Sequence, residues 1–333
     1  MDVYHNGNFR GGSRGSRLAP VPIQRTFLWE KQEILVPAVY VGPAGAVLDV
    51  CARIPVEDMA AFLKKWPRER RLALAAPEDY EQVDADNPGS QDFLVEMSLD
   101  GTPLQLASSS SINWYPESVF RMGNEASAPA QEGEWANDPE AEQLMETYGC
   151  SRGCCWHFGR LNFNWTGEPV LSPKKLSLDF RAQLSPVTAG YFTTAADTAG
   201  QTVKVAHPAT GQEYTVTLHE CLPIRHDFAD MGAPGVLYPE HACMLSYSVS
   251  PEISRDLFDI RDCANGDKPR KKAAPGEHSR SDGATAVFLA GKSPVPQRRM
   301  AASSMYFEPV EEIRWRIVFQ VRKKPHMEVS FVI

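Results

Sequence analysis

The sequence predicts an all-β fold, mainly antiparallel, arranged as two β-sandwich-like domains with a few short helices. Apolar and polar residues alternate with period two through many segments, which puts one side of each segment in a core. Glycine and proline, 23 and 26 of the 333 residues, interrupt these segments about every ten positions, the rhythm of turns in a sandwich. The alternation of strand and long helix that marks a parallel sheet is missing. With 43% hydrophobic and 23% charged residues, a chain of this length fills ordinary cores without disulfide support.

Residues 1–22, rich in glycine, serine and arginine at their start, read as a flexible arm. Residues 23–123 read as a first β domain with one helix. EILVPAVYV (33–41) and AVLDVCARI (46–54) are its strands, split by a Gly-Pro-Ala-Gly turn. PVEDMAAFLKKWP (55–67) is helical: Val56, Met59, Phe62, Leu63 and Trp66 form an apolar stripe. Lys64 and Lys65 complement the C-terminal dipole, and Pro67 ends the helix. FLVEMSLDGTPLQLASS (93–109) reads as a hairpin turning at Asp100-Gly101. Residues 124–150 are a linker followed by a short helix with Asp138 as N-cap, Pro139 behind it and Gly149 as C-cap.

Residues 151–333 read as the second β domain, with a mobile basic loop at 264–284. CWHFGRLNFNW (155–165), KLSLDFRAQL (175–184), QTVKVAHPATGQEYTVTLHECL (201–222) and ACMLSYSVS (242–250) are strand-rich. At the C-terminus, Ile313, Trp315, Ile317, Phe319 and Val321 alternate with mostly polar residues, and Met327, Val329, Phe331 and Ile333 repeat the pattern after Lys-Lys-Pro. The expectation is a terminal hairpin with one buried face.

The formal net charge of −8 argues against nucleic acid and anionic membranes as partners. No apolar run approaches the roughly 18 residues of a spanning helix, and no apolar leader opens the chain. The expected location is the cytoplasm, where thiols stay reduced. Seven cysteines at irregular spacing do not form a disulfide framework.

GCSRGCCWHFGR (149–160) concentrates the candidate chemistry. Gly149-Cys150-Ser151-Arg152-Gly153 fits G-x-S-x-G, but that elbow needs a strand before the serine and a helix after it, and here the order is reversed. Cys155-x-His157, His219-x-Cys221 and His241-x-Cys243 each place two groups on one face of a strand. The first and third pairs share a face with apolar residues. Cys155, His157, His241 and Cys243 are therefore the candidate metal ligands, zinc being the ion such ligands suit. The competing reading makes them core thiols and hydrogen-bonded imidazoles, and no cofactor is then expected. His219 and Cys221 line up with Thr215 and Thr217, away from Tyr214, Val216, Leu218 and Leu222, on the wetter face.

Trp114, Tyr115 and Trp135 are candidate binding aromatics for a sugar or a partner's side chain, against a reading as loop anchors. Residues 138–149 should form a helix, 150–153 a turn, and 154–165 a strand entering the second domain's core. Cys155 and His157 then face inward beside Leu161 and Phe163, with Arg152 and Arg160 reaching solvent or nearby carboxylates.

HPATGQEYTVTLHE (207–220), LSYSVSPEISRDLFDIRDCANGDKPRKK (245–272) and SDGATAVFLAG (281–291) resemble segments of an uncharacterised mainly-β family of gut clostridia. The resemblance covers roughly residues 155–320 and implies no site residues.

Between residues 72 and 146 stand sixteen acidic residues and one basic residue, Arg121. With no catalytic motif in view, the leading expectation is a non-catalytic cytosolic protein-interaction module whose acidic face suits a basic partner, or a second copy of itself. The alternatives are a metal- or thiol-dependent hydrolase using the Cys/His residues, and a carbohydrate-binding module using the aromatics.

Overall fold

A computed structural model describes residues 1–10, 15–90, 93–123, 137–195, 198–227, 235–271 and 298–333. Among the described residues strand makes up 52% and helix 16%, so the fold is all-β and mainly antiparallel. In chain order the elements are β1 (Ala19–Trp29), β2 (Gln32–Gly42), β3 (Gly45–Ile54), α1 (Val56–Lys65), α2 (Arg68–Leu72) and α3 (Pro77–Asp86). Then come β4 (Phe93–Leu99), β5 (Thr102–Trp114), α4 (Glu117–Gly123), α5 (Pro139–Tyr148), β6 (Cys155–Trp165) and β7 (Lys175–Ala182). Next come β8 (Leu184–Ala195), β9 (Thr202–Ala206), β10 (Glu213–Arg225), β11 (Val236–Leu237), β12 (His241–Ser250) and a 3-10 turn (Arg255–Leu257). The chain ends with β13 (Phe258–Asp262), β14 (Arg270–Lys271), β15 (Arg299–Ala302), β16 (Glu312–Arg322) and β17 (Met327–Val332).

Two compact units divide the chain. The first holds residues 1–73, 83–183 and 322–333, and the second holds 74–82 and 184–321. The division expected at 150/151 is not the one the packing makes. β6, expected to open a second domain, lies between β3 and β5 in the middle of the first unit's sheet.

That sheet has eight strands in the order β1-β2-β3-β6-β5-β4-β7-β17. It is one curled, barrel-like layer rather than two stacked sheets. Phe27 on β1 lies 5.3 Å from Phe180 on β7 and 6.4 Å from Phe331 on β17, ring centre to ring centre. Strands at opposite ends of the order thus share one interior. Val36, Leu48, Val50, Val95, Met97, Phe163, Leu178 and Phe180 fill it, inward positions alternating with outward ones as a small filled barrel requires. The expected hairpin forms between β4 and β5, with Asp100 and Gly101 both at positive φ, the backbone of a tight two-residue turn.

Two expectations fail here for one reason: long-range contacts capture segments that look local. The first residues are not a free arm where they are described. Val3, His5 and Leu18 are buried, and the Asn162 side-chain amide donates to the Gly7 carbonyl at 3.2 Å. The C-terminal strands are not a hairpin either. β17 pairs with β7, and β16 pairs with β13. Between them, Pro325 accepts a hydrogen bond from the Trp29 indole at 2.8 Å, and the Lys324 ammonium sits 4.8 Å over that ring.

The second unit holds two sheets around one core. A sheet ordered β15-β12-β10-β9 and another ordered β13-β16-β8 enclose Val216, Leu218, Leu245, Tyr247, Ile260, Trp315 and Phe319. β11 and β14 form a separate pair. Inside this unit the buried Arg316 guanidinium donates to both carboxylate oxygens of Glu81, at 2.6 and 2.9 Å.

Candidate functional site

The sequence-expected site residues are spread over both units. Cys155 and His157 lie on β6 in the first, and His241 and Cys243 on β12 in the second. Cys155 is fully buried, and burial, helped by Cys154 and Glu57, pushes its thiol up to about 12. Cys243 is also buried; burial and the neighbouring Cys221 push its thiol to about 11. Neither supplies a thiolate at neutral pH, which a nucleophile requires. The His157 ring is 2.8 Å from the Asn113 side-chain oxygen, and His241 bridges the backbone of Tyr306.

Cys221 corrects the reading of β10. The β10–β12 register slips between Leu218 and Glu220. This bulge reverses the alternation, so Cys221 turns into the core while Leu222 is exposed.

Two of the three candidate binding aromatics act as anchors. Trp114 is buried and its indole N–H donates to Glu142 at 2.7 Å. Tyr115 packs edge-on against Phe120, and burial pushes its hydroxyl up to about 12. Trp135 lies outside the described residues.

Two outer faces of the barrel carry charge instead. The first is covered. α5 starts at Pro139, with Asp138 before it, and is followed by Gly149 in the left-handed conformation that glycine tolerates. Asp138 makes no side-chain cap and pairs with Arg10 at 2.6 Å. Ala141, Leu144, Met145 and Tyr148 of α5 pack on Cys51, Ile112, Trp156 and Phe158 of the wall. Beside this contact Arg160 donates to both Asp49 oxygens, at 2.9 and 2.7 Å. Tyr148 donates to Asp49 and is 3.0 Å from the Tyr40 hydroxyl, and Phe9 lies 4.4 Å under the guanidinium. Burial foremost, then Asp49, drives the Tyr148 phenol far above its ordinary value, so it stays a donor. Arg160 takes a nearby carboxylate, as expected, but inside the protein and not at its surface.

The second face, formed by β4, β7 and β17, is open. Register places Glu96 opposite Asp179, and Asp179 opposite Glu328. Three carboxylates therefore cross three neighbouring strands in one row. Like charges directly opposite repel, and one guanidinium and one imidazole stand against them. Arg181 reaches Asp179 at 2.6 Å and Glu96 at 3.1 Å, and the His326 ring contacts Asp179. Burial raises the Asp179 carboxyl, but the hydrogen bonds and charges of Arg181 and His326 outweigh it and hold it below the ordinary range. A serine row lies beside the acidic one: Ser98, Ser177 and Ser330 are in register, and Ser177 and Ser330 touch through their hydroxyls at 2.9 Å.

Among the described residues, Asp179, His326 and Glu328 are the one set of three whose potential metal-ligand atoms lie within 4.8 Å of one another. Arg181 already donates twice to one Asp179 oxygen, so the arrangement is a charge ladder. Sequence reading missed these residues. The outward alternation of Leu94-Glu96-Ser98 and Ser177-Asp179-Arg181 is legible, but which strands lie side by side is not.

Most described acidic residues of 72–146 are matched by partners from elsewhere in the chain, as Asp86 is by Lys65 and Glu142 by Arg152. No described helix is long and apolar enough to cross a membrane. No protein-family model matches the chain, and no curated protein and no solved structure matches it either.

Proposed function

We propose that the protein is a non-catalytic interaction module that takes a basic protein partner on the open face of β4, β7 and β17. One observation carries this reading: three carboxylates stand in register across an uncovered sheet face, with one guanidinium and one imidazole against them. A basic segment laid across the strands meets the unbalanced part of that row, and the adjacent serines offer hydroxyls for hydrogen bonding. Charge complementarity of this kind mainly sets association rate and partner choice. A second copy of the chain, or a nucleic acid, brings like charge to this face. A cytosolic setting fits seven cysteines that are all free thiols.

The test is titration of fluorescent decalysine into the full chain at low and high salt. The expected result is salt-sensitive binding, weakened about tenfold or more in the Glu96→Gln/Asp179→Asn/Glu328→Gln variant. Equal affinity of the variant and the parent would remove the proposal.

A further inference from the structure

On the covered face lies a pair of thiols that the proposed binding face does not use. Cys51 is on the outward side of β3, paired with Leu35 and Phe158 across its neighbouring strands, and is fully buried. Cys150 follows the glycine that ends α5. Its backbone N–H donates to the Met145 carbonyl at 3.0 Å, and that of Gly149 donates to Glu146 at 3.4 Å. This pair of bonds is the Schellman ending, in which the second residue past the helix folds back toward the helix's last turn. Cys150 consequently packs onto the same apolar cluster that contains Cys51 and Met145, near enough for each thiol to shift the titration of the other. Cys150 remains half-buried.

We propose that Cys150 and Cys51 form a peroxide-sensitive redox pair that closes to a reversible disulfide. Their chemical difference supplies the division of labour. Burial first, then the hydrogen bond to Cys150, holds the Cys51 thiol well above its ordinary value. Cys51 in turn lowers the Cys150 thiol, against the effect of its burial. An accessible, more acidic thiol beside a second thiol is the arrangement found in oxidant sensors.

In the first step the Cys150 thiolate attacks one peroxide oxygen. An S–O bond forms, the O–O bond breaks, and the departing alkoxide or hydroxide takes a proton from solvent. Cys51 then loses its proton and attacks the Cys150 sulfenic sulfur; the S–S bond forms, the S–O bond breaks, and water leaves. Two thiols and one peroxide become one disulfide, one alcohol or water, and one water. A dithiol reductant restores the thiols. Closure ties the end of α5 to the barrel wall.

The test uses the full chain treated with hydrogen peroxide, alkylated, digested without reduction and mapped by mass spectrometry. The expected product is a Cys51–Cys150 linked peptide that dithiothreitol removes. In the Cys51→Ser variant, Cys150 should instead be trapped by dimedone as the sulfenic acid. Disulfides linking Cys150 to Cys154, or recovery of Cys150 as the alkylated thiol after peroxide, would overturn the proposal. The wild-type map decides it without any variant having to fold.

Discussion

The two charged faces of the barrel use the same ion-pair chemistry in opposite settings. Asp49 and Arg160 meet on the α5 side with 1% and 3% of their side chains exposed; Asp179 and Arg181 meet on the β4–β7–β17 side with 18% and 44%. Both pairs involve a guanidinium that donates from two nitrogens, at similar distances. What differs is what lies above them. Over Asp49 and Arg160 sit Tyr148, Phe9 and the first residues of the chain, so neither charge has water as an alternative partner. Over Asp179 and Arg181 there is solvent, and water competes with every bond. A buried pair is costly to break because the remaining charge is stranded, whereas an exposed pair contributes little either way. The first face is therefore committed to holding the fold, and the second is the one proposed for binding.

The largest expected effect is on the covered side. Asp49→Asn leaves the Arg160 guanidinium buried without its counter-charge and should cost about 3–5 kcal/mol in urea unfolding. Replacing both partners, as Asp49→Leu with Arg160→Met, should recover most of that loss. A small loss from Asp49→Asn alone would break the comparison.

Tyr148→Phe comes next. It takes one donor from the Asp49 carboxylate and leaves the Tyr40 hydroxyl without its neighbour, so about 1–3 kcal/mol should be lost.

Asp179→Asn is the smallest, at about 0–1 kcal/mol near neutral pH. Its pH dependence sharpens the contrast. The folded carboxyl is held below its ordinary value. Its contribution is thus present above the unfolded value of about 4 and lost as the pH falls through the folded one. The difference in melting temperature between the parent and Asp179→Asn should shrink as the pH drops below about 4.

The two faces also differ in how far the sequence reveals them. The α5 helix is readable to the residue, because Pro139 and Gly149 are local signals that act through the backbone. The β4–β5 hairpin is readable for the same reason, through Asp100-Gly101. Strand alternation shows that Glu96, Asp179 and Glu328 point outward. It does not show that they form a row, since that depends on β17 crossing to β7 and not folding back on β16. Arg160 looked like a surface residue because its phase is opposite to Leu161 and Phe163. The sheet is buried on both faces there, and a second cover made from distant residues is invisible to a period-two pattern. The bulge at residues 218–220 has the same character: one extra residue inverts Cys221 and Leu222, and no local signal marks it.

The central claim, that binding belongs to the open face and stability to the covered one, is most directly tested by hydrogen exchange of the full chain with and without saturating decalysine. We predict added protection confined to β4, β7 and β17, with α5 and β6 exchanging at the same rates in both states. Protection centred on α5 and β6, with β4, β7 and β17 unchanged, would contradict it.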